Sequence, residues 1–337
     1  MIRTLACALV VVGLSVPAVR GAAPGDLYEA AVPVETQTPK ERTEAVQRAL
    51  STVLVRVTGR REAAADPALS SLIKAAERYV QQYGYTTDNT LRVGFDGVAL
   101  RNALLDAGQP VWGTERPVTL LWLAIDNGSG RRSMVAADDE SDVVELLESI
   151  ASQRGIPLVL PLLDTEDLAR VSFSDVWGGF GEEILAASTR YGADAVLVGR
   201  AGRSVDGRLT VRWTLHFRGQ SEEWQGTLED GIQRSADRFA EVFAPAGERT
   251  LRALRVEVTG IEDLNGYGTV SRFLENLTFV QSVDVEEVAA DRVAFRVALR
   301  GSPDTLDRAV SLSRILEPVA GENTSPSGAD LRYRLQP

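Results

Sequence analysis

The chain contains one histidine, His216, within the stretch DGRLTVRWTLHFRGQ at residues 206–220. A catalytic histidine needs a nucleophile to activate or a carboxylate to orient it, and the neighbouring residues supply neither. A zinc site takes three or four ligands from His, Cys, Asp and Glu, and a single histidine leaves nearly all of them to carboxylates. We therefore interpret His216 as a residue on a strand surface, and the sequence indicates no catalytic residue, no metal site and no cofactor.

Two clusters of acidic residues are further candidates for chemistry: ADDESD at 137–142 and DTED at 164–167. A carboxylate pair can hydrolyse a glycosidic bond or bind calcium. Both clusters precede or open a predicted helix, where acids cap free amides and interact favourably with the helix dipole. We interpret them as helix caps, and an envelope hydrolase that uses a carboxylate pair is an alternative function.

Two glycine-rich stretches could bind phosphate: WGGFGEE at 177–183 and NGYGTVSRF at 265–273. Each precedes a predicted helix, where backbone amides can bind an anion. Neither matches the P-loop or dinucleotide-binding motif, and Glu182 and Glu183 would repel phosphate at the first stretch. We expect tight loops here, with a binding site for a small anionic ligand as a second alternative.

The stretch around His216 alternates apolar and polar residues, which predicts an antiparallel strand with one packed face and one solvated face. In a chain of formal net charge −11, arginines on such a face are candidate contacts for an acidic partner. Ordinary pairing with cross-strand acids such as Glu222 is the alternative. Arg296 and Arg300 share the solvated face of another predicted strand, DRVAFRVALRG at 291–301. The predicted interface consists of Arg208, Arg212, His216 and Arg218, with Trp224 as its aromatic anchor. Trp177 is a second candidate anchor, and burial in the core is the alternative explanation for both tryptophans.

The N-terminus, MIRTLACALVVVGLSVPAVRGAAPGDLYEA, has the layout of a secretory signal peptide: a cationic start, a short apolar run and small residues. We predict that residues 1–21 are cleaved, with an uncleaved anchor as the alternative. Cleavage would remove Cys7, the one cysteine, and leave a mature chain without thiols. Such a chain suits an oxidising compartment, so we expect the bacterial periplasm.

The composition, 44% hydrophobic and 25% charged over 337 residues, is typical of a soluble globular protein of two or three domains. The negative charge disfavours binding to nucleic acid. After the signal peptide, no apolar run reaches the roughly 20 residues that a membrane span requires.

Hydrophobic periodicity predicts an α+β fold of three small modules. Residues 22–112 form an N-terminal α+β module, with one helix over 38–59 and another over 66–85. Residues 117–246 form a middle α/β module, in which a mixed sheet is packed with helices. Residues 251–337 follow the order β-α-β-β-α-β, which is typical of a ferredoxin-like domain.

Three segments, YEAAVPVETQTPKERTEAVQRALSTVLVRVTG, DPALSSLIKAAERYVQQYGY and PVWGTERPVTLLWLAID, resemble an uncharacterised proteobacterial family known as domain of unknown function 2066. The segments YGADAVLVGRAG and DGRLTVRWTL are similar to envelope domains of the TolB amino-terminal and lipoprotein-activator type. Exported assembly and scaffold proteins share that pattern, so the resemblance implies a binding role by analogy. We therefore expect a non-catalytic periplasmic protein that binds other envelope proteins.

Overall fold

Each third of the chain builds its own β-sheet. The structure, a computed structural model, describes residues 27–114, 116–128, 130–203, 208–244, 251–277, 279–289, 292–313, 315–319 and 328–336. The sheets have three, six and five strands, in chain order, and helices pack on each of them. The predicted α+β class with several modules is confirmed. The predicted signal peptide, including Cys7, lies outside the described residues.

The N-terminal sheet is antiparallel, with strand order β1-β3-β2. The predicted helix over 38–59 is confirmed as α1. The hydroxyl of Thr38 caps its start, Pro39 occupies its first turn, and Gly59 ends it with a φ of 70°. The elements of this module are β1 (Glu29–Pro33), α1 (Pro39–Thr58), α2 (Ser70–Lys74), β2 (Val80–Tyr85), β3 (Thr90–Phe95) and α3 (Gly97–Asp106).

The second predicted helix, over 66–85, is only partly correct. Short helical turns cover its first half, but Val80–Tyr85 forms β2 and pairs with β3. This segment contains one β-branched residue and two tyrosines, which favour strands, and Gly84, which disfavours a helix. Pairing with β3, the next strand along the chain, therefore decides its conformation.

The middle module confirms the predicted mixed sheet packed with helices. Its order is β5-β4-β7-β8-β9, with β6 beside β4, and β4 is parallel to β7. Its elements are β4 (Thr119–Asp126), β5 (Arg132–Met134), α4 (Asp142–Arg154), β6 (Leu158–Val159), α5 (Thr165–Arg170), α6 (Phe173–Gly178), α7 (Gly181–Ser188), β7 (Ala195–Arg203), β8 (Leu209–Phe217), β9 (Gln220–Gly226) and α8 (Leu228–Phe243).

Both faces of the middle sheet are packed. On one face, Leu197 and Trp213 lie in a core with residues of α4 and α8. On the other face, Trp122 and Val198 pack with residues of α6 and α7, such as Ile184, and with Val171, which follows α5. Because neighbouring residues of a strand point to opposite faces, the central strands β4 and β7 contribute to both layers, whereas β8 and β9 contribute only to the first.

The C-terminal sheet has the order β11-β12-β10-β14-β13. Its elements are β10 (Leu251–Thr259), α9 (Leu264–Asn276), β11 (Val280–Val288), β12 (Arg292–Arg300), α10 (Pro303–Leu312), β13 (Leu316–Pro318) and β14 (Leu331–Leu335). The predicted β-α-β-β-α-β order holds through α10, after which two strands follow in place of one. β14 pairs parallel with β10, and β13 forms the edge. Pro318 has no N–H to donate, which suits an edge, whereas Tyr333 of β14 is buried inside the sheet.

One arginine joins the first two modules. Arg116 donates hydrogen bonds to the backbone oxygens of Trp112 and Arg56 on one side and of Arg154 on the other. Arg154 in turn donates to the backbone oxygen of Gly59, at the end of α1, over 2.8 Å. Arg116, in the segment that connects the two modules, therefore fixes the end of α1 to the end of α4.

Candidate functional site

The structure brings together only part of the predicted interface. Arg212 and His216 lie on the same face of β8, and Arg212 is exposed. Arg208 precedes the strand and is exposed. Arg218 lies in the turn after β8 with a φ of 52°, so it does not continue the alternating face. Thr214, between Arg212 and His216, is buried, which shows that this face is partly covered.

Trp224, a candidate aromatic anchor of the interface, does not share the face of β8 that carries Arg212 and His216. It pairs across the strands with Trp213, lies in the core beneath α8, and is only 8% exposed. The guanidinium of Arg234 lies 5.7 Å from the ring centroid. Strand alternation explains the separation, because Trp213 and Arg212 are neighbours in sequence and must point to opposite faces.

The loop between α6 and α7 covers the face that carries Arg212 and His216. We use the name WGGFG loop for Trp177–Gly181, which comprises the end of α6, the connection and the first residue of α7, and which runs close to β7 and β8. A Cβ built on Gly179 would lie 2.6 Å from Nη1 of Arg200, and one built on Gly181 would lie 3.5 Å from Cε1 of His216. Gly179 also has a φ of 73°, a conformation that favours glycine. The glycines therefore allow the loop to lie directly on the sheet.

Arg200 is not part of the predicted interface, although it lies beside it. It lies in β7, in register with Arg212 of β8. Its guanidinium donates to the Thr214 hydroxyl over 3.0 Å and lies 4.0 Å from the Glu223 carboxylate. Its side chain is 12% exposed, and its buried Nε has no hydrogen-bond partner among the described residues. A charged residue within the apolar run AVLVGRAG was the signal in the sequence that could have identified it.

The WGGFG loop also presents two aromatic residues to solvent. Trp177 is 37% exposed and Phe180 is 53% exposed. Trp177 stacks on Phe173, with ring centroids 5.5 Å apart, which holds its ring in place. We define the sheet-face patch as Trp177, Phe180, Arg200, Arg212 and His216.

The charge of the sheet-face patch is positive at neutral pH. The side chain of Arg212 has no ion-pair or hydrogen-bond partner among the described residues. Burial lowers the pKa of the His216 imidazole below its usual 6.5, while Glu223 acts in the opposite direction. Burial also lowers the pKa of Arg200, again opposed by Glu223. His216 is therefore neutral near pH 7, and its Nδ1 lies 2.8 Å from the Ser221 hydroxyl.

The two acidic clusters form local contacts at helix starts. In DTED, the Asp164 carboxylate accepts the backbone N–H groups of Glu166 and Asp167 and forms an ion pair with Arg190. These contacts hold the pKa of Asp164 well below its usual range. Asp167 is fully buried, bonded to Arg190 and to the Tyr191 hydroxyl. In ADDESD, Asp139 accepts the N–H of Ser141, and Asp142 lies in the first turn of α4.

Several other sequence features have a structural explanation. Most of the stretch NGYGTVSRF, predicted as a loop, belongs to α9, and Asp263 caps that helix by accepting the N–H of Gly266. Arg296 forms an ion pair with Glu286 over 3.2 Å. In the part of the chain that the structure describes, no three His, Cys, Asp or Glu side chains lie together in a way that could hold a metal ion. Within the same ranges, no helix combines the length and apolarity that crossing a membrane requires.

Comparison with known proteins gives one family. Residues 22–113 match the family described as "Domain of unknown function (DUF8605)". No curated protein matches the chain. The matched range covers the N-terminal sheet with its helices and ends before β4, so it does not include the sheet-face patch. The N-terminal part of the chain is thus similar to an uncharacterised family. This family bears a different designation from domain of unknown function 2066, the family that the sequence resembles.

Proposed function

We propose that this protein is a non-catalytic component of the bacterial cell envelope, and that it binds another envelope protein through the sheet-face patch. It would be exported through a cleaved signal peptide and act in the periplasm. The signal-like N-terminus and a mature chain without cysteine support the location. The similarity of the segments around β7 and β8 to TolB amino-terminal-like envelope domains supports a binding role by analogy.

One observation carries the proposal: an arginine without an ion-pair partner among the described residues lies beside Arg200, on which a loop with two exposed aromatic rings rests. Arg212 is cross-strand from Arg200, which the WGGFG loop contacts, and Phe180 is the most exposed aromatic residue of that loop. Arginine and aromatic residues are enriched at protein interfaces, where they supply much of the binding energy. A surface that combines them is suited to a protein partner.

The partner that fits this surface is an acidic segment that also carries an apolar side chain. A carboxylate of the partner would pair with Arg212, whose charge is not neutralised by the protein itself. The apolar side chain would pack against Phe180 and Trp177. Glu223, at the margin of the patch, would repel an acid placed beyond Arg200, which restricts where the partner's carboxylate can lie.

Crosslinking in intact cells tests this proposal. A photo-crosslinkable phenylalanine analogue at position 180 should capture one envelope protein, identified by mass spectrometry. The substitutions Arg212→Glu/His216→Glu should abolish the crosslink, because they place two negative charges on the patch. The control Arg334→Glu/Gln336→Glu changes the same charges at exposed residues of the C-terminal sheet and should leave the crosslink unchanged.

Two results would contradict the proposal. If the analogue at position 180 captures no protein, that result argues against an interface. A captured protein whose yield is the same in the charge-reversed variant argues against it as well. Fractionation and N-terminal sequencing of the purified protein test the location separately. We expect a periplasmic protein that begins near Ala22, and a cytoplasmic protein that begins at Met1 would contradict it.

A further inference from the structure

A second candidate site lies in a cleft between the N-terminal module and α9 of the C-terminal module. Its volume is about 680 Å³, which is sufficient for a small molecule. Tyr28 and Arg101 line it from the N-terminal module, and Thr269, Arg272 and Phe273 line it from α9. The cleft lies outside the sheet-face patch and shares no residue with it.

The cleft is positively charged. Arg101 and Arg272 both line it, and Asp96 is the one acid among its described lining residues. The Asp96 carboxylate is occupied at the start of α3, where it accepts the N–H groups of Val98 and Ala99. Arg101 has no ion pair among the described residues. In a chain of net charge −11, two arginines without a matching carboxylate favour an anionic ligand.

Several of these side chains are held in position. The Nε of Arg272 donates to the backbone oxygen of Gly268 over 2.9 Å, which leaves the two terminal nitrogens of the guanidinium for a ligand. A Cβ built on Gly97 would lie 3.0 Å from the Tyr28 ring, so the start of α3 packs closely against that ring. Side chains that are already ordered lose less conformational entropy when a ligand binds.

The rest of the lining consists of neutral polar groups and a few apolar side chains. The polar groups are three hydroxyls and two amides, which suit a ligand with several hydroxyl groups. Phe273 and Val98 offer apolar surface to the carbon atoms of such a ligand. The neutral polar residues of the cleft are Tyr28, Gln81, Thr114, Thr269 and Asn276.

We infer that this cleft binds a small anionic carbohydrate. Its phosphate or carboxylate group would pair with Arg101 and Arg272, and its hydroxyl groups would bond to the threonines and amides. The ligand would lie along the side of α9 and not at its N-terminus, where Asp263 already caps the helix. This inference does not depend on the sheet-face patch.

Titration calorimetry on the purified protein tests the inference, with glucose 6-phosphate and glucuronate as anionic probes and glucose as the neutral one. We expect both anions to bind and glucose to bind at least tenfold more weakly. The double substitution Arg101→Gln/Arg272→Gln should weaken anion binding at least tenfold. The control Arg131→Gln/Arg334→Gln, at exposed arginines outside the cleft, should leave the affinity unchanged.

The absence of measurable binding of both anions at millimolar concentration would overturn the inference. So would glucose that binds as tightly as the anions, or a double variant that binds as the wild type does. Circular dichroism verifies that the double variant is folded, and Arg272→Gln, at an exposed residue, serves as the second variant if it is not. The variant Arg212→Glu/His216→Glu should bind sugars normally, so the two proposals can fail independently.

Discussion

The guanidinium carbon of Arg116 lies 3.9 Å from the centroid of the Trp112 ring, in the segment that joins the first two modules. The same guanidinium donates to the backbone oxygens of Arg56 and Arg154, over 3.0 and 3.2 Å. These two residues lie in the last turns of α1 and α4, where carbonyl groups lack helical partners and the helix dipole is negative. One buried cation therefore stabilises two helix ends and joins two modules.

Replacing Arg116 with methionine should lower the free energy of unfolding by about 3 kcal/mol, because several buried carbonyl groups lose a charged donor. Arg116→Lys should be nearly as destabilising, because an ammonium group cannot reproduce the planar fork of donors. Urea unfolding measures both changes. Arg131→Met, at an exposed arginine, is the control, and equal effects at the two positions would contradict this role of Arg116.

Gly179→Ala should destabilise the protein more than Gly219→Ala. Both glycines have nearly the same positive φ, 73° and 72°, so the backbone strain is comparable, about 1–2 kcal/mol. Only at Gly179 would the added Cβ meet a neighbour, Nη1 of Arg200, whereas nothing lies within 4 Å at Gly219. The difference between their urea midpoints measures the contact between the WGGFG loop and the sheet. Equal midpoints would show that the loop does not rest on Arg200.

The imidazole of His216 should titrate below 6.5, because burial disfavours its charged form. As the chain has one histidine, a single Cε1–H resonance in an NMR titration gives this pKa directly. Glu223→Gln should lower the midpoint further, since Glu223 favours the imidazolium. A midpoint above 6.5 would contradict the partly buried position of the ring.

The same shift predicts how stability depends on pH. Because the pKa of His216 is lower in the folded state, the unfolded chain binds the proton first as the pH falls. The contribution of His216 to the free energy of unfolding should therefore be fully present above pH 6.5. It should decrease as the pH falls from 6.5 through the folded-state pKa. His216→Gln should remove this contribution, which urea unfolding at pH 7.5 and 5.5 would detect as a smaller difference between the two midpoints.

Asp167→Asn should lower the free energy of unfolding by about 3 kcal/mol, because it leaves a buried network without its charge. The Asp167 carboxylate accepts hydrogen bonds from Arg190, the Tyr191 hydroxyl and the N–H of Leu163. Glu166→Gln, one residue away and half exposed, should change the stability by less than about 1 kcal/mol. Urea unfolding of both variants checks this prediction, and a stable Asp167→Asn protein would mean that the buried acid is not structural.

Local patterns in the sequence were sufficient for much of the fold. Helix α1 was predictable because its apolar spacing, its cap at Thr38 and its end at Gly59 all lie within one segment. Strand β8 was predictable for the same reason, since alternation assigns Trp213 and Arg212 to opposite faces. In contrast, the apolar spacing of 66–85 resembled a helix, and Val80–Tyr85 became a strand because it pairs with β3, the next strand along the chain.

The candidate site depended on contacts that no local pattern specifies. Alternation separates Arg212 from Trp213, but it does not say which face the WGGFG loop covers, nor that Trp224 is buried while Trp177 is exposed. The approach of Gly179 to Arg200 joins residues 21 positions apart, and the cleft at Arg101 and Arg272 joins two modules. The periodicity, charge and caps of each element could be predicted from the sequence, because these properties arise between near neighbours. Which faces remain open followed from the tertiary structure alone, because it depends on how distant segments pack over those faces.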